Sequence, residues 1–255
     1  MSRLVRLEQD GFVARLIIAR PPHNFFNVEM ITDMADLLEE CDRNPSVRVT
    51  ILTSDLKNFC AGADFGDAER PEPVHLYTAA NRLIRRRKPM IAAIGGAAVG
   101  GGLGVALTAD LRVGDETAWF QANFTRIGLS AGFGISHTLP AVVGRQRARD
   151  LLVTARRVTA DEAFAIHLLD RIAPPGELQA TALAVAQEIA ANSPVATAAS
   201  RELIGREEAD LFAAAISREL EYQRPLLASS DFAEGVRAAA ERREPNFSTF
   251  PEEKE

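Results

Sequence analysis

The stretch Ala92-Ala93-Ile94-Gly95-Gly96-Ala97-Ala98-Val99-Gly100-Gly101-Gly102-Leu103-Gly104 decides the reading of this chain. Six of the 17 glycines in 255 residues fall between Gly95 and Gly104. Pro89 to Ala109 is 21 residues without a charge, long enough to cross a bilayer. Gly96, Gly100 and Gly104 repeat the small-residue spacing of packed membrane helices, and Arg85-Arg86-Arg87 supplies a positive flank. Against that, each glycine weakens a helix by about 1 kcal/mol relative to alanine. A nucleotide loop fits no better. No Lys-Ser or Lys-Thr follows the glycines, and Val105 stands where the last glycine of Gly-x-Gly-x-x-Gly belongs. What remains is a turn joining a strand at 90–94 to a helix at 103–109. The first N–H groups of such a helix lack partners, and glycine admits a ligand close to them. The turn suits half of an oxyanion hole, or close strand–helix packing with no ligand.

Outward from this turn, short strands alternate with helices. Residues 3–8 and 12–19 read as a hairpin about Asp10-Gly11. Val28, Ile31, Met34, Ala35, Leu38 and Cys41 predict a helix over 28–43, with Asn27 as its cap and Pro45 just past its end. Residues 47–53 form a strand, 58–66 a loop, 74–87 a basic helix, and 111–113 and 118–121 short strands. This alternation implies an α/β architecture with crossover connections. After about residue 144 the segments 145–155, 160–168, 177–192, 195–205, 207–222 and 231–242 all read as helical, and Asp231 with Glu234 resembles a capping box. We therefore expect an α/β core over 1–195, a helical region over 196–255, and a frayed tail from Pro251 to Glu255.

The composition narrows the function. With 47% hydrophobic and 25% charged residues, the chain has material for a sizeable core. A net charge of −6 argues against a nucleic-acid partner. Cys41 and Cys60 are too few for a disulfide scaffold, and the charged N-terminus lacks an apolar signal core, so a cytoplasmic protein without a membrane partner is expected. The four histidines are scattered, which predicts no metal site, and the three lysines give little support for a Schiff-base cofactor.

A second segment joins the glycine turn. Phe59-Cys60-Ala61-Gly62-Ala63-Asp64 together with residues 92–104 resembles the enoyl-CoA hydratase/isomerase (crotonase) superfamily. Arg20-Pro21-Pro22-His23-Asn24, Ala109-Asp110-Leu111-Arg112, the block Gly128 to Gly144, and Glu234-Gly235 through Asn246-Phe247 resemble further parts of the family pattern, in order over roughly residues 10–250. The resemblance implies a spiral of ββα units with a helical C-terminal trimerisation region, built as a homotrimer or dimer of trimers. It implies an acyl-CoA substrate, with no cofactor beyond that coenzyme A. It also implies an oxyanion hole made by the backbone N–H groups of Ala63 and Gly101. Ala61, Asp64, Phe65, Gly100, Phe124 and Phe133 would line the substrate site beside them.

The pattern breaks where water would be activated. The family's two hydratase glutamates fall at Gly104 and Phe124, and the aspartate that some members use falls at Gly132. Paired carboxylates are what water addition needs, so isomerase, decarboxylase or C–C lyase chemistry is expected rather than ordinary hydration. Substitute acid/base candidates are His75, Tyr77, His137 and Asp64, with Asp67, Glu69 and Asn123 weaker. A non-catalytic acyl-CoA-binding protein on the same fold is the alternative. A serine hydrolase is a further rival, because Gly128-Leu129-Ser130-Ala131-Gly132 matches a nucleophile elbow. Its triad would need a histidine well downstream, but the last is His167, and Gly134 is read as unfavourable to a helix starting there.

Overall fold

The computed structural model describes residues 4–65 and 73–247; Asp67, Glu69 and the 251–255 tail lie outside the described residues. β1 (Val5–Asp10) and β2 (Val13–Ile18) pair antiparallel, with Asp10 opposite Val13. Gly11 turns the hairpin at φ +57° with open space about it. After β3 (Phe25–Phe26), α1 (Val28–Arg43) starts at Asn27, whose side chain accepts the N–H of Met30 at 3.0 Å. Ile31, Met34, Ala35, Leu38 and Cys41 are buried as the apolar spacing predicts, but Met30 takes the place expected of Val28, which is half-buried at the first turn.

Three units of similar build follow. β4 (Val49–Ser54) leads to β5 (Gly62–Ala63) and α2 (Pro73–Ile84). β6 (Met90–Ile94) leads to β7 (Ala97–Val99) and α3 (Gly101–Leu107). β8 (Leu111–Gly114) leads to β9 (Trp119–Gln121), a 3₁₀ turn (Asn123–Ile127) and α4 (Ile135–Val143). The remaining elements are α5 (Arg145–Thr154), β10 (Arg157–Thr159), α6 (Ala160–Ala165), β11 (Arg171–Ile172), α7 (Leu178–Ala190), α8 (Pro194–Gly205), α9 (Glu208–Leu227) and α10 (Ser230–Glu241).

The long strands form one sheet in the order β1-β2-β4-β6-β8-β11, parallel apart from β1. The short strands form β10-β9-β7 and β3-β5. β4 and β6 are buried along nearly their whole length, as strands covered on both faces must be, with Thr50 and Thr53 the buried polar residues of β4. On one face Leu16, Leu52 and Ala92 join the main core with α1 and α2; on the other Val49, Ile51, Ile91 and Val113 pack on Ala182 and Ala186 of α7.

Several expectations need correcting. The chain after 144 is not wholly helical: β10 pairs with β9, and β11 completes the main sheet beside β8. α2 ends at Ile84, so Arg85 to Lys88 lie beyond it. Arg86 is instead buried, and its guanidinium donates to Asp110 at 2.7 Å and to the Thr108 carbonyl at 2.7 Å. α10 is capped by Ser229, which accepts the Phe232 N–H, while Glu234 binds Arg237 and Arg243. A helix does begin after Gly134, which adopts φ +73° as the cap of α4. Among the described residues, no helix is long and apolar enough to cross a membrane.

Candidate active site

The site begins with how the chain holds the loop before β5. Asn24 is fully buried at φ +54°. Its amide donates to Ser54 Oγ at 2.7 Å and to the carbonyls of Asn58 and Phe59 at 3.0 and 3.1 Å. Its side-chain oxygen accepts the Arg20 N–H at 2.7 Å. One side chain thus staples the turn after β2 to the segment that carries Cys60 to Asp64. Beyond it, Asp64 N–H donates to the Phe26 carbonyl at 2.9 Å, and Arg20 pairs with the Asp64 carboxylate at 2.7 Å.

The same segment runs beside β7. Cys60 N–H donates to Ala97 O at 2.9 Å, Val99 N–H donates to Cys60 O at 3.0 Å, and Cys60 and Ala98 form a parallel bridge. Three residues beyond this pair on each segment stand Ala63 and Gly101. Gly101 is the first residue of α3, so its N–H has no intrahelical acceptor. Gly102 is a glycine of necessity: a Cβ there would strike the Cys60 carbonyl. Burial pushes the Cys60 thiol up to about 12, so it is not a nucleophile at neutral pH.

Apolar rings fill the far side. A Cβ on Gly101 would meet the Phe26 ring at 2.5 Å, and one on Gly104 would meet the Phe133 ring at 2.8 Å. The two rings touch each other, with centroids 5.2 Å apart. Phe133 and Phe124 are buried, at 2% and 6% exposure. Phe133 sits at φ +62°, where a bulky side chain costs about 1–3 kcal/mol. The space beside position 104 is therefore occupied by an aromatic ring, and position 124 by another aromatic side chain.

The acid/base candidates separate. Tyr77 is buried, and its hydroxyl donates to Gln223 Oε1 at 2.6 Å. That hydroxyl also lies 2.9 Å from where a Cβ of Gly132 would be. Burial pushes the phenol up, helped by the charge of Glu219, so it stays protonated at neutral pH. His75 lies exposed on α2, and His137 is half-buried on α4. Asp64 is neutralised by Arg20. Phe65 turns to α10, edge-on to Phe232 at 5.2 Å. Asn123 approaches the glycine turn: a Cβ on Gly100 would lie 2.7 Å from its Oδ1. Ser130 Oγ is buried with no hydrogen-bond partner among the described residues, which include all four histidines, so the elbow reading lacks its base.

Two residues escaped the sequence reading. Glu219 and Gln223 lie four apart on α9, inside the buried stripe Phe212, Ala215, Ile216. Glu219 accepts the N–H groups of Gly134 and Ser136 at 2.6 and 2.8 Å. The Gln223 amide donates to the carbonyls of Ser130 and Ala131 at 2.9 and 3.2 Å. Polar residues at apolar-stripe positions were the available signal. An open cleft of about 380 Å³, lined by Asn123, Arg126, Arg242 and Arg243 among others, lies between the 3₁₀ turn and α10.

Comparison with known proteins bears on the family and the fold. A short-chain-enoyl-CoA hydratase of Clostridium acetobutylicum is 34% identical over 211 residues, 79% of this chain and 81% of its own length. A 1,2-epoxyphenylacetyl-CoA isomerase of Escherichia coli is 30% identical over 259 residues, 97% of this chain and 99% of its own. The crystal structure of an enoyl-CoA hydratase/isomerase from Pseudoalteromonas atlantica matches with a TM-score of 0.86 at 30% identity, covering 96% of this chain and 100% of that one. The sequence model of the enoyl-CoA hydratase/isomerase family spans residues 8–250. By sequence and by fold, the chain belongs to the enoyl-CoA hydratase/isomerase family and has the crotonase fold.

Proposed function

We propose that this chain binds an acyl-CoA thioester and stabilises its enolate between the backbone N–H groups of Ala63 and Gly101. One observation carries the reading: the Cys60–Ala98 bridge brings two chain segments into step, and Ala63 and Gly101 stand at the same distance past it. Backbone donors aimed at a developing oxyanion are worth roughly 10²–10³ in rate each. Coenzyme A enters as part of the substrate, and Ala61, Asp64 and Gly100 flank the donors.

The reaction is not ordinary hydration on this reading. Phe133 fills the space beside Gly104, and Phe124 replaces a carboxylate with a ring. Isomerisation, decarboxylation or C–C cleavage all pass through an enolate and suit such a site. The same apolar filling also supports a second reading, a non-catalytic acyl-CoA-binding protein. Calorimetry with butanoyl-CoA, paired with a crotonyl-CoA hydration assay and C2-proton exchange in D₂O, separates these readings. The proposal expects binding and exchange with no hydration. Binding without exchange favours the second reading, and no binding contradicts both.

Self-association of the C-terminal helices, as a homotrimer or dimer of trimers, belongs to the same proposal. Its support is α8, which buries no residue and leaves Val195 and Ile204 at 79% and 91% exposure. Light scattering on the purified protein tests it.

A further inference from the structure

The backbone from Ser130 to Ser136 is gripped on both sides of Phe133 by one face of α9. Gln223 holds the carbonyls of Ser130 and Ala131, and Glu219 holds the N–H groups of Gly134 and Ser136. Both side chains are buried, at 6% and 5% exposure, and every polar atom of each is used. The Gln223 amide NH₂ faces two carbonyls, which fixes its orientation. Its Oε1 must therefore be the acceptor, and it takes the Tyr77 hydroxyl proton at 2.6 Å. Both Glu219 oxygens accept backbone N–H groups, the arrangement of an ionised carboxylate. Tyr77 of α2 completes the grip, because its hydroxyl lies against Gly132, which has no Cβ to block it.

Phe133 is the residue between the two holds. It alone among its immediate neighbours is a bulky side chain at positive φ, a conformation that persists only when its surroundings over-determine it. Its ring lies against Gly104, against Phe26, and 3.8 Å from where a Cβ of Gly101 would be. The ring is thus buried beside the glycine turn, and the hold from α9 sets where it stands.

We propose that Glu219 and Gln223, with Tyr77, are specificity-determining positioning residues: they fix Phe133 beside the thioester carbonyl, so that the site accepts a straight acyl group and rejects one branched at C2. This rests on the acyl-CoA reading of the site. The substrate class it assigns is a CoA thioester unbranched next to the carbonyl. A ring beside Gly101 and Gly104 faces the first carbons of the acyl group, where a C2 methyl would collide.

The test has two arms on the full-length protein. In the first, calorimetry gives the affinities for butanoyl-CoA and 2-methylpropanoyl-CoA in wild type, Tyr77→Phe, Gln223→Met, Phe133→Ala and the Gln223→Met/Phe133→Ala double variant. Wild type should prefer the straight thioester. Tyr77→Phe and Gln223→Met should each shrink that preference by about tenfold, the discrimination that one methyl in an apolar pocket supplies. In the Phe133→Ala background Gln223→Met should change it no further. An unchanged preference in both single variants, or an equal effect of Gln223→Met with and without Phe133, overturns the proposal. The second arm needs no ligand. The aromatic NMR resonance of Phe133, assigned by its loss in Phe133→Leu, should shift or broaden in Tyr77→Phe, a variant that deletes one oxygen and keeps the ring. An unmoved resonance overturns the clamp whatever the binding data show. If wild type binds neither thioester while the resonance moves, the acyl-CoA reading fails, the selectivity fails with it, and the clamp on the ring stands.

Discussion

Cys60 and Ala98 face each other in a parallel bridge, and the two segments of the chain leave that bridge in step toward Ala63 and Gly101. The closeness of the segments is enforced at Gly102, where any side chain would run into the Cys60 carbonyl. Gly102→Ala should therefore push the two segments apart. Overpacking of this kind costs roughly 1–3 kcal/mol, read as a lower denaturant midpoint, and acyl-CoA affinity should fall with it.

Gly104 and Phe133 share one space. Gly104→Ala should destabilise by about 1–3 kcal/mol, because its methyl meets the Phe133 ring. Phe133→Ala alone leaves a cavity and should cost about 3–5 kcal/mol. The double variant should cost less than the sum, since each change relieves the other. Additive losses in urea unfolding would mean that the two residues do not compete for the same volume.

Asn24 staples the turn after β2 to the loop that carries Ala63. Asn24→Ala leaves the buried carbonyls of Asn58 and Phe59 without this donor, at about 1–3 kcal/mol. A loop released in this way should weaken C2-proton exchange more than butanoyl-CoA binding. Equal losses in both would make Asn24 a support of the fold only.

Glu234 ties the end of α10 to the segment after it. Its carboxyl accepts from Arg243, from the Asn246 N–H at 2.9 Å, and from Arg237. These partners, Arg243 foremost, hold its folded-state pKa well below the ordinary 4.5. The unfolded chain then binds more protons in that range, so the stability from Glu234 is present above about pH 4.5 and is lost as the pH falls through the folded value. Glu234→Gln should flatten the acid limb of a thermal-stability profile and leave the neutral plateau lower. A wild-type slope in the variant would show that the ion pairs do not form in solution.

The parts of this fold that were legible in the sequence are those set by local periodicity and caps. α1 was readable because its apolar spacing, Asn27 and Pro45 agree. The glycine stretch was readable only as a break between strand and helix: the single turn expected from 94 to 103 instead contains β7, and α3 starts at Gly101 with three of the six glycines inside it. β5 and β7 were not readable: they are two and three residues long and exist through pairing with distant chain. The start of α4 was missed because Gly134 caps it from the left-handed region, with Glu219 supplying the acceptors from 85 residues away. Ser229 rather than Asp231 caps α10, a choice between neighbouring side chains that only the backbone path decides. At the candidate site, the letters themselves put a glycine at 104 and a phenylalanine at 124. That Phe133 fills the place beside Gly104 was not legible, because it depends on a non-glycine residue at positive φ.

The central claim is that two backbone N–H groups polarise a thioester carbonyl here. Isotope-edited infrared spectroscopy of butanoyl-CoA labelled with ¹³C at the carbonyl measures this directly, whatever reaction follows. Two donors on the oxygen should move the carbonyl stretch of the bound thioester to lower wavenumber than in water, and Gly102→Ala should return it toward the free value. A bound thioester whose stretch stays at the free position would contradict the account.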